Sequence, residues 1–180
     1  MTKQLITFFL FFSFFAATSQ VEKIKQTIIN CSRISENDTL IITNELEKHN
    51  LTVPLGWTGE FMGELPMLNL VNNTTKDTFA IFAYTAWDSY PKGELFDTIK
   101  FINPKAKFTK IKIEGHDFLM FTQLSPTKRL KLELMFHVDT TESFENRWVW
   151  TFQLFSPIQE VPEEIICDLK YIILQFIKWE

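Results

Sequence analysis

The stretch LKLELMFHV, from Leu130 to Val138, decides the fold of this chain. Apolar residues occupy every second position in it, which predicts a β-strand with one face buried in a core. The stretch from Trp148 to Phe155 has the same period, with apolar residues at Trp148, Trp150, Phe152 and Leu154. Together the two stretches predict the last strand pair of a sheet that has one deeply apolar face.

Further strands are predicted upstream of this pair. They lie at Leu51–Val53, Met67–Val71, Phe79–Tyr84, Phe108–Ile113 and Phe118–Leu124. Phe79–Tyr84 is apolar at successive positions, so we expect it to be covered on both faces and central in the sheet. The last two strands flank Glu114 to Asp117, which we interpret as a four-residue hairpin loop with its glycine.

The segment from Ser32 to Asn50 leaves two interpretations open. Leu40 to Thr43 is a candidate strand, whereas Asn37 and Asp38 are equally able to cap a helix that runs to Lys48. Two short helices are also predicted, one just before this segment and one after the strand Phe79–Tyr84. Their apolar residues have helical spacing, at Val21, Ile24, Ile28 and Cys31 in the first and at Leu95, Ile99 and Ile102 in the second.

A closing helix is predicted to begin at Pro162. Proline is favoured in a first turn, and Glu163 and Glu164 complement the helix dipole there. Its apolar residues form one stripe wide enough to lie on a sheet, namely Ile165, Ile166, Leu169, Ile172, Ile173 and Phe176. The predicted fold class is therefore α+β, with six or seven antiparallel strands packed between helices as an α/β/α sandwich.

Residues 1–19 have the organisation of a cleavable signal peptide. Lys3 gives a short positive region, an apolar run follows from Leu5 to Ala17, and the small residues Ala17 and Ser19 precede Gln20. The run is shorter than the ~20 apolar residues that a membrane-spanning helix needs. We therefore expect an exported protein, periplasmic or extracellular. It would have an N-terminal segment with a possible short helix at residues 20–49 and an α+β domain at residues 50–180.

Charge and cysteine content narrow the function classes. Loss of Lys3 with the leader leaves 17 basic residues against 22 acidic ones, a net charge of −5. This weak acidity, without a dense basic run, argues against nucleic-acid binding. Cys31 and Cys167 are too few for a zinc site and are the candidates for a disulfide in an oxidising compartment. Cys167 lies on the outer side of the closing helix with Tyr171 and Leu174, and we expect the N-terminal helix to cover that side.

Three parts of the chain resemble PsbP-like domains, the relatives of an extrinsic photosystem II subunit. These are Pro54-Leu55-Gly56-Trp57 after a strand, Ile111 to Gly115 running into a hairpin, and Trp148 to Phe155 before an acidic-started helix. The resemblance covers roughly residues 50–179 and implies an antiparallel sheet between helical layers. The family has no single function, and its photosystem role is not implied here, because a fold alone does not determine function.

Two histidine groups are the candidates for catalytic or metal chemistry. His116 lies between Glu114 and Asp117 in the predicted hairpin loop, where turn formation alone accounts for such residues. His137 and Asp139 share one strand face, but a metal site needs further ligands and the chain has three histidines in all. No recognised catalytic or phosphate-binding motif occurs. We assign no catalytic residue, no metal ligand and no cofactor from the sequence.

The polar face of the last strand pair is the candidate binding surface. Lys131, Glu133, His137 and Gln153 lie on it, and we expect it to be flat, solvated and mixed in charge. Such a face does not shield a catalytic pair from water, but it is adequate for a weak protein contact. The predicted function is that of an exported non-enzymatic domain that binds or assists another protein or a small ligand. The alternative is a small exported hydrolase or a sugar-binding protein.

Overall fold

The structure, a computed structural model, describes residues 21–32, 38–44, 49–62, 67–85, 108–124, 130–139, 147–158 and 160–178. At residues 44, 49, 83–85, 124, 136–139 and 147–149 it describes the backbone alone. Nine strands lie within these ranges: β1 (Thr39–Asn44), β2 (His49–Pro54), β3 (Trp57–Met62), β4 (Met67–Asn72), β5 (Thr78–Thr85), β6 (Thr109–Ile113), β7 (His116–Leu124), β8 (Leu130–Asp139) and β9 (Arg147–Ser156). Two helices accompany them, α1 at residues 21–30 and α2 at Glu163–Ile177.

Seven of the strands form one sheet in the order β3-β4-β5-β9-β8-β7-β6, and every neighbouring pair is antiparallel. The longest pairing joins β8 to β9, from Leu130 opposite Ser156 to Asp139 opposite Arg147. The strand pair that the alternating sequences predict is therefore confirmed. β5, with its continuous apolar run, lies inside the sheet between β4 and β9, as expected.

The alternation divides the sheet into an inner face and an outer face. Cross-strand partners share a face, so the inner face includes Leu132 with Leu154 and Leu134 with Phe152, all buried. The outer face carries the intervening positions, among them Lys131, Glu133, Gln153 and Phe155.

The inner face lies against α2. All six residues of the apolar stripe, from Ile165 to Phe176, are buried. The Phe176 ring lies with its centroid 4.7 Å from that of Trp150 and 5.7 Å from that of Phe152 on β9. β1 and β2 form a separate two-stranded sheet, and β2 packs against the same helix with Leu51 and Val53 buried.

A disulfide joins Cys31, just after α1, to Cys167 on α2, with the two Cα atoms 5.4 Å apart. The Lys170 ammonium adds hydrogen bonds to the carbonyl oxygens of Ile29 (3.3 Å) and Cys31 (3.0 Å). These contacts dock the end of α1 on α2, as the cysteine prediction requires. Ile24 and Ile28 of α1 belong to the hydrophobic core that the sheet and α2 form.

The structure corrects the sequence-based prediction at the β6–β7 hairpin. Ile113 pairs with His116, so the loop has two residues, Glu114 and Gly115, rather than four. Both have positive φ, 48° and 94°, which two-residue type I′ hairpin turns require and glycine accommodates without cost.

Two upstream strands add to the sequence-based predictions. One decides between two open interpretations, and the other was not predicted. Leu40 to Thr43 belongs to β1, which settles the open choice in favour of the strand. β3 was not predicted, because Gly59 and Glu60 interrupt any alternation in its sequence.

The α+β class is confirmed, whereas helices on both faces of the sheet stay a prediction. The expected helix at Leu95, Ile99 and Ile102 and the predicted leader lie outside the described residues. Within the described ranges, no helix is both long enough and apolar enough to cross a membrane.

Candidate functional site

The polar residues of the candidate binding surface meet on the outer face, where β8 and β9 pair. Lys131 Nζ lies 2.9 Å from Glu133 Oε2, and Gln153 is the cross-strand partner of Glu133. Phe155 is the cross-strand partner of Lys131, whose ammonium lies 5.7 Å from the ring centroid. This distance suits a cation–π interaction. The structure therefore brings three of the four predicted residues together and adds an aromatic ring.

The expectation that this face is solvated is wrong at Glu133, which is only 8 % exposed. Glu133 shares this burial with nearby outer-face positions that are apolar or small, namely Leu119, Met135 and Thr151. Leu119 and Met135 are cross-strand partners, and Met135 in turn pairs with Thr151. The sequence of β8 alone did not reveal this burial, because Met135 is the one apolar residue among the outer-face positions of that strand.

The accessible part of the outer face is the row of cross-strand partners next to the row that contains Glu133 and Gln153. Cross-strand pairing places Thr58, Val71, Thr78 and Phe155 side by side on β3, β4, β5 and β9. All four are exposed, Val71 by 39 % and Phe155 by 41 %. We call Thr58, Val71, Thr78 and Phe155 the exposed row. Lys131 extends it at the Phe155 end.

The two carboxylates that flank His116 in the sequence, Glu114 and Asp117, each pair with a lysine. The Glu114 carboxylate lies 3.1 Å from Lys170 Nζ, and Asp117 pairs with Lys112 at 3.4 Å. His116 and Asp117 are successive on β7, so their side chains point to opposite faces. For His137 and Asp139 the backbone register gives an outer-face position, but their side chains lie outside the described part, as does that of His49.

One polar contact that the sequence analysis missed joins α2 to the first strand of the large sheet. Trp57 Nε1 donates a 2.7 Å hydrogen bond to Asp168 Oδ2. Burial raises the pKa of Asp168 above its ordinary value; the hydrogen bond from Trp57 lowers this pKa, and the charge of Glu164 raises it further. The net direction is upward.

A second missed residue is Lys170, two positions further along α2. Its side chain is almost fully buried, and its ammonium reaches Glu114 in the β6–β7 turn as well as the two carbonyl oxygens at the end of α1. A cation is favourable at the C-terminal end of a helix, where carbonyl groups lack partners. Lys170 therefore links α1, α2 and the hairpin.

The sequence contained one signal for both residues. Asp168 and Lys170 interrupt the apolar run IICDLKYIIL in the middle of α2, where an ionisable residue needs a specific partner to be buried. The partners, Trp57 and Glu114, are distant in sequence and carry no comparable signal.

No three His, Cys, Asp or Glu side chains within the described ranges converge as metal ligands. Comparison of the chain with protein-family models, with curated proteins and with solved structures finds no match. The functional argument therefore depends on the geometry of the chain itself.

Proposed function

We propose that this protein is an exported, non-enzymatic domain that binds another protein through the outer face of its sheet. The observation that supports the proposal is the exposed row, where Val71 and Phe155 lie two strands apart, about 10 Å. Phe155 lies at one end of this row, and aromatic residues are enriched at protein contacts. Lys131 beside Phe155 gives the patch a polar rim, and the exposed Val71 and Phe155 favour a partner with apolar groups.

Export is part of the same proposal. The predicted signal peptide and the disulfide between Cys31 and Cys167 are consistent with each other, because disulfides persist in oxidising compartments. Secretion should therefore release a chain that begins at or near Gln20. The intact mass of the exported protein tests this, and a mass equal to that of all 180 residues would exclude cleavage.

The non-enzymatic part of the proposal is supported by three contacts in which ionisable groups are engaged within the fold. Lys131 pairs with Glu133, Lys170 with Glu114, and Asp168 accepts from Trp57. Each contact links elements of the fold or braces one face of the sheet. A catalytic acid or base instead has to face a substrate within hydrogen-bond distance.

The binding proposal is tested by charging the exposed row. The double variant Val71→Asp/Phe155→Asp should keep the melting temperature of the wild type, because both side chains are exposed. It should lose any protein that co-purifies with the wild type from the exported fraction of the native host. Ile41→Asp is the matched control, since Ile41 is 64 % exposed but lies on β1 of the small sheet. Equal recovery of the partner with both variants would refute the assigned surface.

The same variants also test the two alternative functions, a sugar-binding protein and a hydrolase. Binding of a soluble oligosaccharide by the purified wild type, lost in Val71→Asp/Phe155→Asp, would favour a sugar-binding protein. Turnover of a hydrolase substrate that the double variant retains would favour an enzyme with its site elsewhere.

Membership of the PsbP-like superfamily is likewise a proposal. It is supported by the turn at Pro54-Leu55-Gly56, which leads directly into Trp57 of β3, and by the closing helix on the sheet. An experimental structure with a helix at residues 95–102 on the outer side of the sheet would support it. A structure without that helical layer would argue against it.

A further inference from the structure

Three buried polar residues lie side by side at one end of the inner face. The register of β4, β5 and β9, continued by one residue, places Asp77 between Asn72 and Ser156. The Asn72 N–H donates to the Asp77 carbonyl oxygen at 2.8 Å, which confirms the alignment on one side. Adjacent strands are about 4.8 Å apart, so Asp77 is an immediate neighbour of both Asn72 and Ser156. We call Asn72, Asp77 and Ser156, with Thr75 of the intervening loop, the oxygen cluster.

The Asp77 side chain in this cluster is completely buried but unpaired. Its relative exposure is 0 %, and within the described part of the chain neither carboxylate oxygen has a hydrogen-bond partner. The hydroxyl of Thr75 is buried and unpaired in the same way. Buried polar groups are nearly always paired, and an ionised carboxylate without a partner is especially unfavourable. The described residues supply no such partner, which makes a bound ligand the candidate for it.

The nearest cation in the sequence does not neutralise Asp77. Lys76 is adjacent, but it is exposed and its ammonium donates to the Asn73 carbonyl oxygen at 2.6 Å. The Asn72 amide oxygen is engaged by the N–H groups of Thr74 and Thr75, both at 3.0 Å, which fix the loop around the cluster. The loop is therefore organised independently of the carboxylate.

The chemistry of the donors identifies the class of ligand. The cluster offers a carboxylate, the hydroxyls of Thr75 and Ser156 and an amide oxygen, and none of these four side chains presents sulfur or imidazole nitrogen. Such oxygen donors suit hard cations rather than zinc or copper. A single carboxylate balances one positive charge, whereas a divalent ion would leave a net charge buried.

We propose that Asp77, Thr75 and Ser156 hold a monovalent alkali cation, Na⁺ or K⁺, at the β4–β5 end of the sheet. The ion neutralises the buried carboxylate and joins the loop to β9. This site is separate from the exposed row, because Asp77 and Thr78 are successive residues with opposite orientations.

Thermal unfolding in different chloride salts tests the proposal. The melting temperature of the full exported chain is measured in NaCl, KCl and tetramethylammonium chloride at equal ionic strength, so that general screening is constant. Tetramethylammonium is too large for a site of this kind. We expect a higher melting temperature in NaCl or KCl, by roughly 5–10 °C once the ion is at about 100 times its Kd. The larger effect identifies the preferred ion.

Two variants separate the site from unspecific salt effects. Asp77→Asn removes the charge and should make the melting temperature the same in all three salts, whereas the exposed-carboxylate control Asp117→Asn should behave as the wild type. If Asp77→Asn does not fold, Thr75→Val removes one neutral ligand and should weaken the ion dependence. Equal melting temperatures of the wild type in the three salts would refute the proposal. A rise with CaCl₂ alone would refute the monovalent assignment.

Discussion

Asp168 and Lys170 lie two positions apart on α2, yet they contact opposite edges of the seven-stranded sheet. Asp168 accepts from Trp57 on the edge strand β3, and Lys170 reaches Glu114 in the hairpin of the other edge strand, β6. In a flat sheet these edge strands would be about 29 Å apart. Side chains from one turn of a helix do not span that width, so the two contacts indicate that the sheet curves around α2.

The raised pKa of Asp168 predicts a specific pH dependence. The pKa of Asp168 in the folded protein lies above 3.8, the ordinary value that we take for the unfolded chain. The folded protein therefore holds this proton more tightly than the unfolded chain does. The free energy of unfolding therefore falls as pH rises through a window that begins near 3.8, and the deficit is constant above the folded pKa. Asp168→Asn removes the titration and keeps an acceptor oxygen for Trp57. We expect its stability relative to the wild type to be greater at pH 7 than at pH 4.

Urea unfolding of both proteins across that pH range provides the measurement. The exposed-carboxylate variant Asp117→Asn is the control and should track the wild type. Parallel stability curves for Asp168→Asn and the wild type would contradict the assignment.

A second residue-level prediction concerns Lys170. Lys170→Met keeps the apolar stem but leaves the carbonyl oxygens of Ile29 and Cys31 without this donor and Glu114 without its ion-pair partner. We expect the free energy of unfolding to fall by about 1–3 kcal/mol. Lys178→Met, at an exposed position after α2, should change it by less than about 0.5 kcal/mol. Similar losses in the two variants would show that the buried ammonium has no special role.

Among the elements, the long periodic ones were predictable and the short irregular one was not. β8, β9 and α2 each repeat an apolar pattern over ten or more residues, so the period alone gave their type and their buried side. β3 has six residues, and its sequence WTGEFM matches neither period. Its strand conformation comes from pairing with β4 from Trp57 opposite Asn72 to Met62 opposite Met67, and a local pattern does not contain that information.

The helix–sheet packing predicts a large effect at Ile172. This residue is fully buried on the stripe that faces the sheet. Ile172→Asp would place a charge without a partner in the core and should cost several kcal/mol, on the order of 3–5. Gln175→Asp, at a half-exposed position of the same helix, is the control. An unchanged melting temperature for Ile172→Asp would mean that the helix faces elsewhere.

Gly59 determines how closely β3 approaches β4. A Cβ atom at this position would contact the Asn69 carbonyl oxygen and would lie 2.8 Å from the Asn69 carbonyl carbon and 2.9 Å from the Leu70 Cα. These are backbone atoms, which move only with the strand. We expect Gly59→Ala to destabilise the protein by about 1–3 kcal/mol in chemical unfolding, whereas Glu60→Ala on the same strand should be close to neutral. Equal stability of the two variants would show that β3 adjusts freely.

For the whole molecule, the predictions succeeded where a local pattern sufficed and failed where two distant residues had to meet. The disulfide was predictable because Cys31 and Cys167 are the two cysteines of the chain. Trp57 with Asp168 and the unpaired Asp77 were not, because each depends on strand order and register. The same holds for the outer face, where Glu133 shares its burial with residues on other strands.

The disulfide predicts a large contribution to global stability. It closes a loop of 136 residues, and the chain-entropy relation gives about 5 kcal/mol for a loop of that length, before any strain. Urea unfolding of the wild type should therefore shift to lower urea when a thiol reductant is added. The double variant Cys31→Ser/Cys167→Ser should show no response to the reductant. Two free thiols in the unfolded, unreduced protein would exclude the bridge.

The position of the bridge also determines how the protein bears mechanical load. The nine strands of the described ranges, from Thr39 to Ser156, lie between Cys31 and Cys167, so tension applied at the two chain ends passes through the sulfur bridge rather than along the strands. A pulled molecule would extend only by its terminal segments until the bridge is reduced. Reduction would then release the enclosed chain, about 45–50 nm of contour length for 136 residues. The covalent link thus limits how far the chain can be extended, while the load still falls on the part of α2 that follows Cys167 and packs on the sheet.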